Sequence, residues 1–145
     1  PFWQPLAETD RIARCEEVLK RYQIFEYRDQ YAQTLPQGVR KLLDIAMASV
    51  HDPKLLMLDE PTSGVTAAEK FSIMDIVVTA LREQNVTILF VEHDMEIVAK
   101  YATRVLAFYD GRIIADEAPE EALRDKQVRE FVIGETLHLD TTAEH

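Results

Sequence analysis

Two short apolar runs, Leu55 to Leu58 and Val86 to Val91, flank a stretch in which Phe71, Met74, Val77, Val78 and Leu81 recur at helical spacing. Apolar runs with little alternation read as strands covered on both faces, the pattern of a parallel sheet. A helix between two such strands is a crossover that leaves them parallel in one sheet. The expected class is therefore α/β, with strands over 55–58 and 86–91 and a helix over 67–82, closed by Asn85.

Upstream, Ile12, Cys15, Val18, Leu19 and Tyr22 give the stripe of an amphipathic helix from Glu8 to Tyr22, capped by Thr9 or Asp10. Pro36 at a first helical position, followed by Leu42, Leu43, Ile45, Ala46 and Ser49, predicts a helix from Pro36 to His51 that Asp52-Pro53 breaks. Downstream, a short helix over Met95–Tyr101 and a strand over Val105–Tyr109 are expected. Asp110-Gly111 then forms the hairpin turn into a strand over Arg112–Ala115. Short helices are expected at Ala118–Glu121 and Lys126–Ile133, and a polar, frayed tail is expected over Glu135 to His145. The expected division is a helical portion over 1–54, an α/β core portion with its hairpin over 55–134, and the tail over 135–145. No internal repeat or low-complexity segment interrupts it.

Charge and composition exclude several classes. Acidic residues outnumber basic ones, 26 against 16, which argues against a nucleic-acid surface built on lysine and arginine. Cys15 is the single cysteine, so there is neither an internal disulfide nor a cysteine-cluster zinc site, and a reducing, cytosolic setting fits. No apolar run is long enough to cross a bilayer, so work at a membrane would go through partners. The chain opens on PFWQPLAE without a methionine, as expected of a segment that begins inside a larger domain.

Ligands of an open parallel sheet bind beyond the carboxyl ends of its strands, and polar groups gather there. Asp59 follows four apolar residues. Its carboxylate, at a rigid strand end, suits a hard cation such as magnesium. Glu60 points differently and can accept a proton from an attacking water. His93, one crossover later, could bond a terminal phosphate and help order that water. Taken singly, each also fits a bland reading, as a solvated loop carboxylate or a structural histidine.

These residues together resemble the nucleotide-binding domain of ATP-binding cassette (ABC) proteins. LLMLDEPTSG resembles the Walker B motif and the start of the D-loop, LFVEHD the H-loop strand, and LPQGV, Leu35 to Val39, stands where the LSGGQ signature would be. The resemblance implies a P-loop NTPase-like parallel sheet, with this chain as the C-terminal half of the domain. It implies that Asp59 supports Mg2+, that Glu60 is the general base and that His93 contacts the terminal phosphate of ATP. Leu35, Pro36, Gln37 and Gly38, with Ser63 and Gly64, would address nucleotide in a head-to-tail dimer with a second nucleotide-binding subunit. The partners would be transmembrane permease subunits at the cytoplasmic face of the membrane, met through Phe2, Trp3 and the first helix. EHDM, LPQG and the ending PEEAL with VREFVIGE resemble the importer branch for branched-chain amino acids or similar small solutes.

The sequence also departs from the family pattern. Pro36, Gln37 and Val39 replace a serine, a glycine and a glutamine of the signature, so anion binding would rest on backbone amides at a helix N-terminus, helped by Gln37 or Arg40. An ordinary helix start would satisfy LPQG equally well. Thr66 stands where the family commonly has aspartate. Glycine occurs only at Gly38, Gly64, Gly111 and Gly134, none followed by lysine, so the phosphate-cradling GxxxxGK(S/T) is absent. Nucleotide binding by the chain alone is expected to be weak or absent. The alternative expectation is a truncated or degenerate cassette that pairs with another subunit without turning over ATP. A cassette acting on DNA or ribosomes is disfavoured by the acidic charge.

Overall fold

The computed structural model describes residues 8–134, which form two compact units, the first ending at Glu92 and the second beginning at His93. The first unit contains α1 (Glu8–Arg21), two 3-10 turns (Phe25–Tyr27 and Ala32–Thr34), α2 (Gln37–Ser49), β1 (Leu55–Asp59), α3 (Ala67–Glu83) and β2 (Thr87–Val91). The second contains α4 (Met95–Tyr101), β3 (Val105–Tyr109), β4 (Arg112–Glu117), α5 (Pro119–Ala122) and a π-helical turn (Val128–Ile133). The expected tail, along with Phe2 and Trp3, lies outside the described residues.

One apolar core runs through the first unit, joining Val18, Tyr22 and Ile24 to Leu42, Ile45 and Ala46, to Leu56 and Leu58, and to Ile73, Val77, Leu81 and Val86. It therefore spans the expected boundary after residue 54. Only the C-terminal half of the α1 stripe reaches this core, because Ile12 and Cys15 are exposed. Thr9 and Asp10 lie inside the helix rather than capping it. The buried Tyr22 hydroxyl donates to Ser49 Oγ at 2.9 Å, and Ser49 in turn donates to the Ala46 carbonyl, which ties α1 to α2 with no polar atom left over. Pro36 is the N-cap of α2 rather than its first residue, with φ −53 and ψ 150.

β1 and β2 pair in parallel across the α3 crossover, with Leu55 opposite Thr87 and Asp59 opposite Val91. The expectation that these strands are covered on both faces is corrected. Leu56 and Leu58 are buried, but Leu55 (50% exposed), Met57 (70%), Leu89 (43%) and Val91 (55%) line an open face. The physical reason is the supply of covering elements. A parallel sheet needs helices on both sides, and α2 and α3 both pack into the core with Leu56 and Leu58.

α3 starts at a capping box. Thr66 accepts from the Glu69 amide, and the Glu69 carboxylate accepts from the Thr66 amide at 3.1 Å and its hydroxyl at 2.6 Å.

In the second unit, β3 and β4 form the expected hairpin, with Asp110 and Gly111 both at positive φ as a type I′ turn requires. The pairing extends past the expected Ala115 to Glu117, with a register shift after Ala107. Arg104 clamps Asp116 through two bonds of 2.6 and 2.7 Å. The expected final helix takes π-helical form over Val128–Ile133. It is started by Asp125, whose Oδ1 accepts from the Gln127 and Val128 amides, and stopped by Gly134 in the left-handed region. Val128 packs with Ala107 and Ala115 beneath the hairpin.

Candidate functional site

Asp59 is the last residue of β1 and its side chain is exposed. The Glu60 amide continues the ladder by donating to the Val91 carbonyl at 2.9 Å, and the backbone then turns sharply, with Glu60 at φ 45. Strand pairing thus fixes where Asp59 sits. The turn decides where Glu60 points.

That turn is held by its neighbours. The Glu60 carbonyl accepts from the Ser63 amide at 3.0 Å and from Lys41 Nζ of α2, also at 3.0 Å. Lys41 Nζ also donates to Ser63 Oγ. From the end of β2, Glu92 Oε1 accepts from the Thr62 amide at 3.0 Å and the Thr62 hydroxyl at 2.6 Å. Pro61 and Thr62 are buried, so their placement is part of the packing.

The expected signature segment lies against this turn. Leu35 and Gly38 are buried, while Pro36 and Gln37 are exposed. Gly64 is at φ 75, a backbone that favours glycine, and the Gln37 side-chain amide lies close against it. Gly38 serves packing between helices, since a Cβ there would lie 3.1 Å from Ile73 Cδ1 of α3. Pro36 offers no side-chain cap to α2, whose first intrahelical bond runs from the Arg40 amide to the Pro36 carbonyl. Residues 35–38, 41 and 59–64 are thereby brought together in the first unit. His93 is exposed and opens the second unit; Asp94 next to it N-caps α4 by accepting from the Glu96 amide at 3.0 Å.

Among the described residues no cluster of three or more His, Cys, Asp or Glu could hold a metal. Magnesium needs no such cage when phosphates and waters complete its shell, and one carboxylate at a strand end fits that chemistry. Three residues, Lys41, Thr66 and Glu92, shape the site in roles not expected from the sequence. Thr66 was legible, because T-x-x-E before an apolar helix is a capping box. Lys41 and Glu92 had no local signal, since their partners lie 19 and 30 residues away.

Known proteins resemble this chain in sequence and in fold. The family model described as ABC transporter matches residues 4–63. The lipopolysaccharide export system ATP-binding protein of Haemophilus influenzae is 31% identical over 92% of this chain and 55% of its own length. The high-affinity branched-chain amino acid transport ATP-binding protein of Salmonella typhimurium is 30% identical over 89% of this chain and 51% of its own. The ADP conformation of an ATP-binding cassette of an ABC transporter superposes with a TM-score of 0.77 at 29% identity, over 92% of this chain and 53% of that one.

This chain is similar to the ATP-binding domains of ABC transporters.

The ABC model match takes in α1, α2, β1 and the turn through Ser63, and so includes Asp59 and Glu60. The fold is accordingly P-loop NTPase-like α/β with a parallel strand pair. The chain spans about half the length of the curated ABC relatives it matches. No helix among the described residues is long and apolar enough to cross a membrane.

Proposed function

We propose that this chain supplies the magnesium-binding, water-activating and signature parts of an ATP-hydrolysing ABC cassette that drives transport. The observation that carries this reading is the pair Asp59 and Glu60 at the carboxyl end of a parallel strand, in a turn pinned by α2 and β2. Asp59 would hold Mg2+, which when bound neutralises charge on the phosphates. Glu60 accepts the proton of the attacking water as its oxygen bonds the terminal phosphorus and the bond to the leaving ADP breaks. His93 contacts the terminal phosphate. Leu35, Pro36, Gln37 and Gly38, with Ser63 and Gly64, face the nucleotide of a second nucleotide-binding subunit in a head-to-tail dimer, using the free amides at the start of α2.

The helical portion, 1–54, would meet transmembrane permease subunits and hold the protein at the cytoplasmic face of the membrane. The strongly exposed Tyr31 (84%) and the exposed Ile12 support that docking. EHDM and LPQG, together with the branched-chain amino acid relative, support import of branched-chain amino acids or similar small solutes. Nucleic acid has no place in this reading. Pro36, Val39 and Thr66 favour a second reading, a cassette partner that binds without hydrolysis.

The decisive experiment joins this chain to a preceding segment that carries the phosphate loop and measures steady-state ATP hydrolysis. Glu60→Gln should keep ATP binding and lose most turnover, about a hundredfold or more. A variant as fast as wild type would remove Glu60 from the mechanism. A wild-type domain that binds ATP in a dimer without hydrolysing it would favour the second reading.

A further inference from the structure

We infer that Lys41 and Glu92 are positioning residues for Glu60, holding the backbone conformation that aims its carboxylate. This rests on the reading of Glu60 as the base. Five described non-glycine residues have positive φ: Gln23, Asp52, Glu60, Asn85 and Asp110. Gln23, Asp52 and Asn85 follow the C-termini of α1, α2 and α3, and Asp110 sits in the hairpin turn. Those are places where a left-handed residue finishes a helix or closes a turn. Of the two that follow a strand, Asp110 closes a hairpin and Glu60 does not. Its side chain is not one that favours this region, and such a conformation persists only where surrounding bonds over-determine it.

Lys41 and Glu92 supply four such bonds. Lys41 Nζ reaches the Glu60 carbonyl and Ser63 Oγ, both at 3.0 Å, so the ammonium grips the backbone at the start and end of the turn. Glu92 Oε1 takes both donors of the buried Thr62. Residues 60, 62 and 63 are thus each fixed from outside the turn. Gln37, one helical turn before Lys41, packs against Gly64, so one face of α2 lies along the whole turn. A shift of α2 therefore carries Glu60 with it, which links the signature segment mechanically to the base.

Four variants test this. Lys41→Met keeps the stem and removes the donor, whereas Lys41→Arg keeps donors. Glu92→Val removes the acceptor, whereas Glu92→Gln keeps an acceptor oxygen. In this chain, hydrogen exchange at the Thr62 and Ser63 amides, read by NMR, should speed up about tenfold in Lys41→Met and Glu92→Val, as expected for one lost bond. The Glu60 backbone coupling constant should change with it, and the Arg and Gln variants should restore both.

In the domain completed by the phosphate-loop segment, the Met and Val variants should lower kcat about tenfold or more, with KM for ATP unchanged. The Arg and Gln variants should recover the rate. Unchanged exchange in both disruptive variants overturns the inference whatever the activity. Altered exchange with wild-type kcat overturns it too, since the turn would then not matter to the base. If the completed wild-type domain does not hydrolyse ATP, the catalytic role of Glu60 fails on its own account. The exchange result then still decides whether Lys41 and Glu92 set the turn.

Discussion

At the scale of single residues, Glu60 and Tyr22 show opposite relations between a side chain and its surroundings. Glu60 occupies a left-handed backbone that glycine would adopt without steric cost. Glu60→Gly should relieve about 1–2 kcal/mol of strain, offset by about 0.5–1 kcal/mol of extra chain entropy in the unfolded state. The folded chain should therefore be no less stable in urea denaturation, although the proposed base is gone. A destabilisation above 1.5 kcal/mol would show that the left-handed turn carries no strain, the magnitude being about that of the steric term itself.

Tyr22 is instead fully satisfied in the core, and burial holds its hydroxyl above the ordinary phenol value of 10.0 despite the opposing bond to Ser49. Tyr22→Phe should cost about 0.5–1.5 kcal/mol, because one buried hydrogen bond is lost while Ser49 keeps its bond to Ala46. The sign of the alkaline effect follows from the raised value. In the unfolded chain Tyr22 ionises near pH 10, whereas the folded chain resists, so stability is full below that pH and falls as pH climbs through the raised folded value. The phenylalanine variant should lose less stability across that range in alkaline denaturation.

At the scale of elements, caps and turns decide where helices start more firmly than apolar periodicity does. Thr66 stands where the family resemblance expects an acidic D-loop residue, and the fold uses it to start α3. Thr66→Ala should cost about 1 kcal/mol in chemical denaturation, the ordinary value for a lost N-cap. The hydrogen bonds from Thr66 hold the Glu69 carboxyl below its ordinary value of 4.5. The cap is therefore complete above that pH and is lost as pH falls through the depressed folded value, so acid should fray α3 at its first turn. Amide exchange at Glu69 between neutral and acid pH would reveal it; equal protection throughout would show that the carboxylate contributes nothing. α1 illustrates the converse. Its stripe of Ile12, Cys15, Val18 and Tyr22 is regular, yet only the last two find a core, because a helical period states which residues share a face and not how far that face is covered.

At the scale of the whole chain, the open face of the β1–β2 pair is the main departure from expectation. Met57 and Leu89 face each other there in register and are both exposed. Replacing both with threonine should change unfolding free energy by less than about 0.5 kcal/mol each, since little burial is lost. A drop of several kcal/mol would show that this face is covered in solution. The chain also carries no GxxxxGK(S/T). We expect no saturable ATP binding by this chain alone at micromolar concentration, and a clear calorimetric isotherm would contradict that.

The sequence by itself determined the elements whose signals are local: the α/β class, the α3 crossover between two apolar strands, the Asp110-Gly111 turn, and the placing of Asp59 and Glu60 at a strand end. Each follows from periodicity or turn chemistry within a short window. The tertiary structure alone decided which faces are covered, leaving Leu55, Met57, Leu89 and Val91 open. It also decided how Glu60 is held, through Lys41 and Glu92, because hydrogen bonds between residues far apart in the chain leave no periodic trace in it.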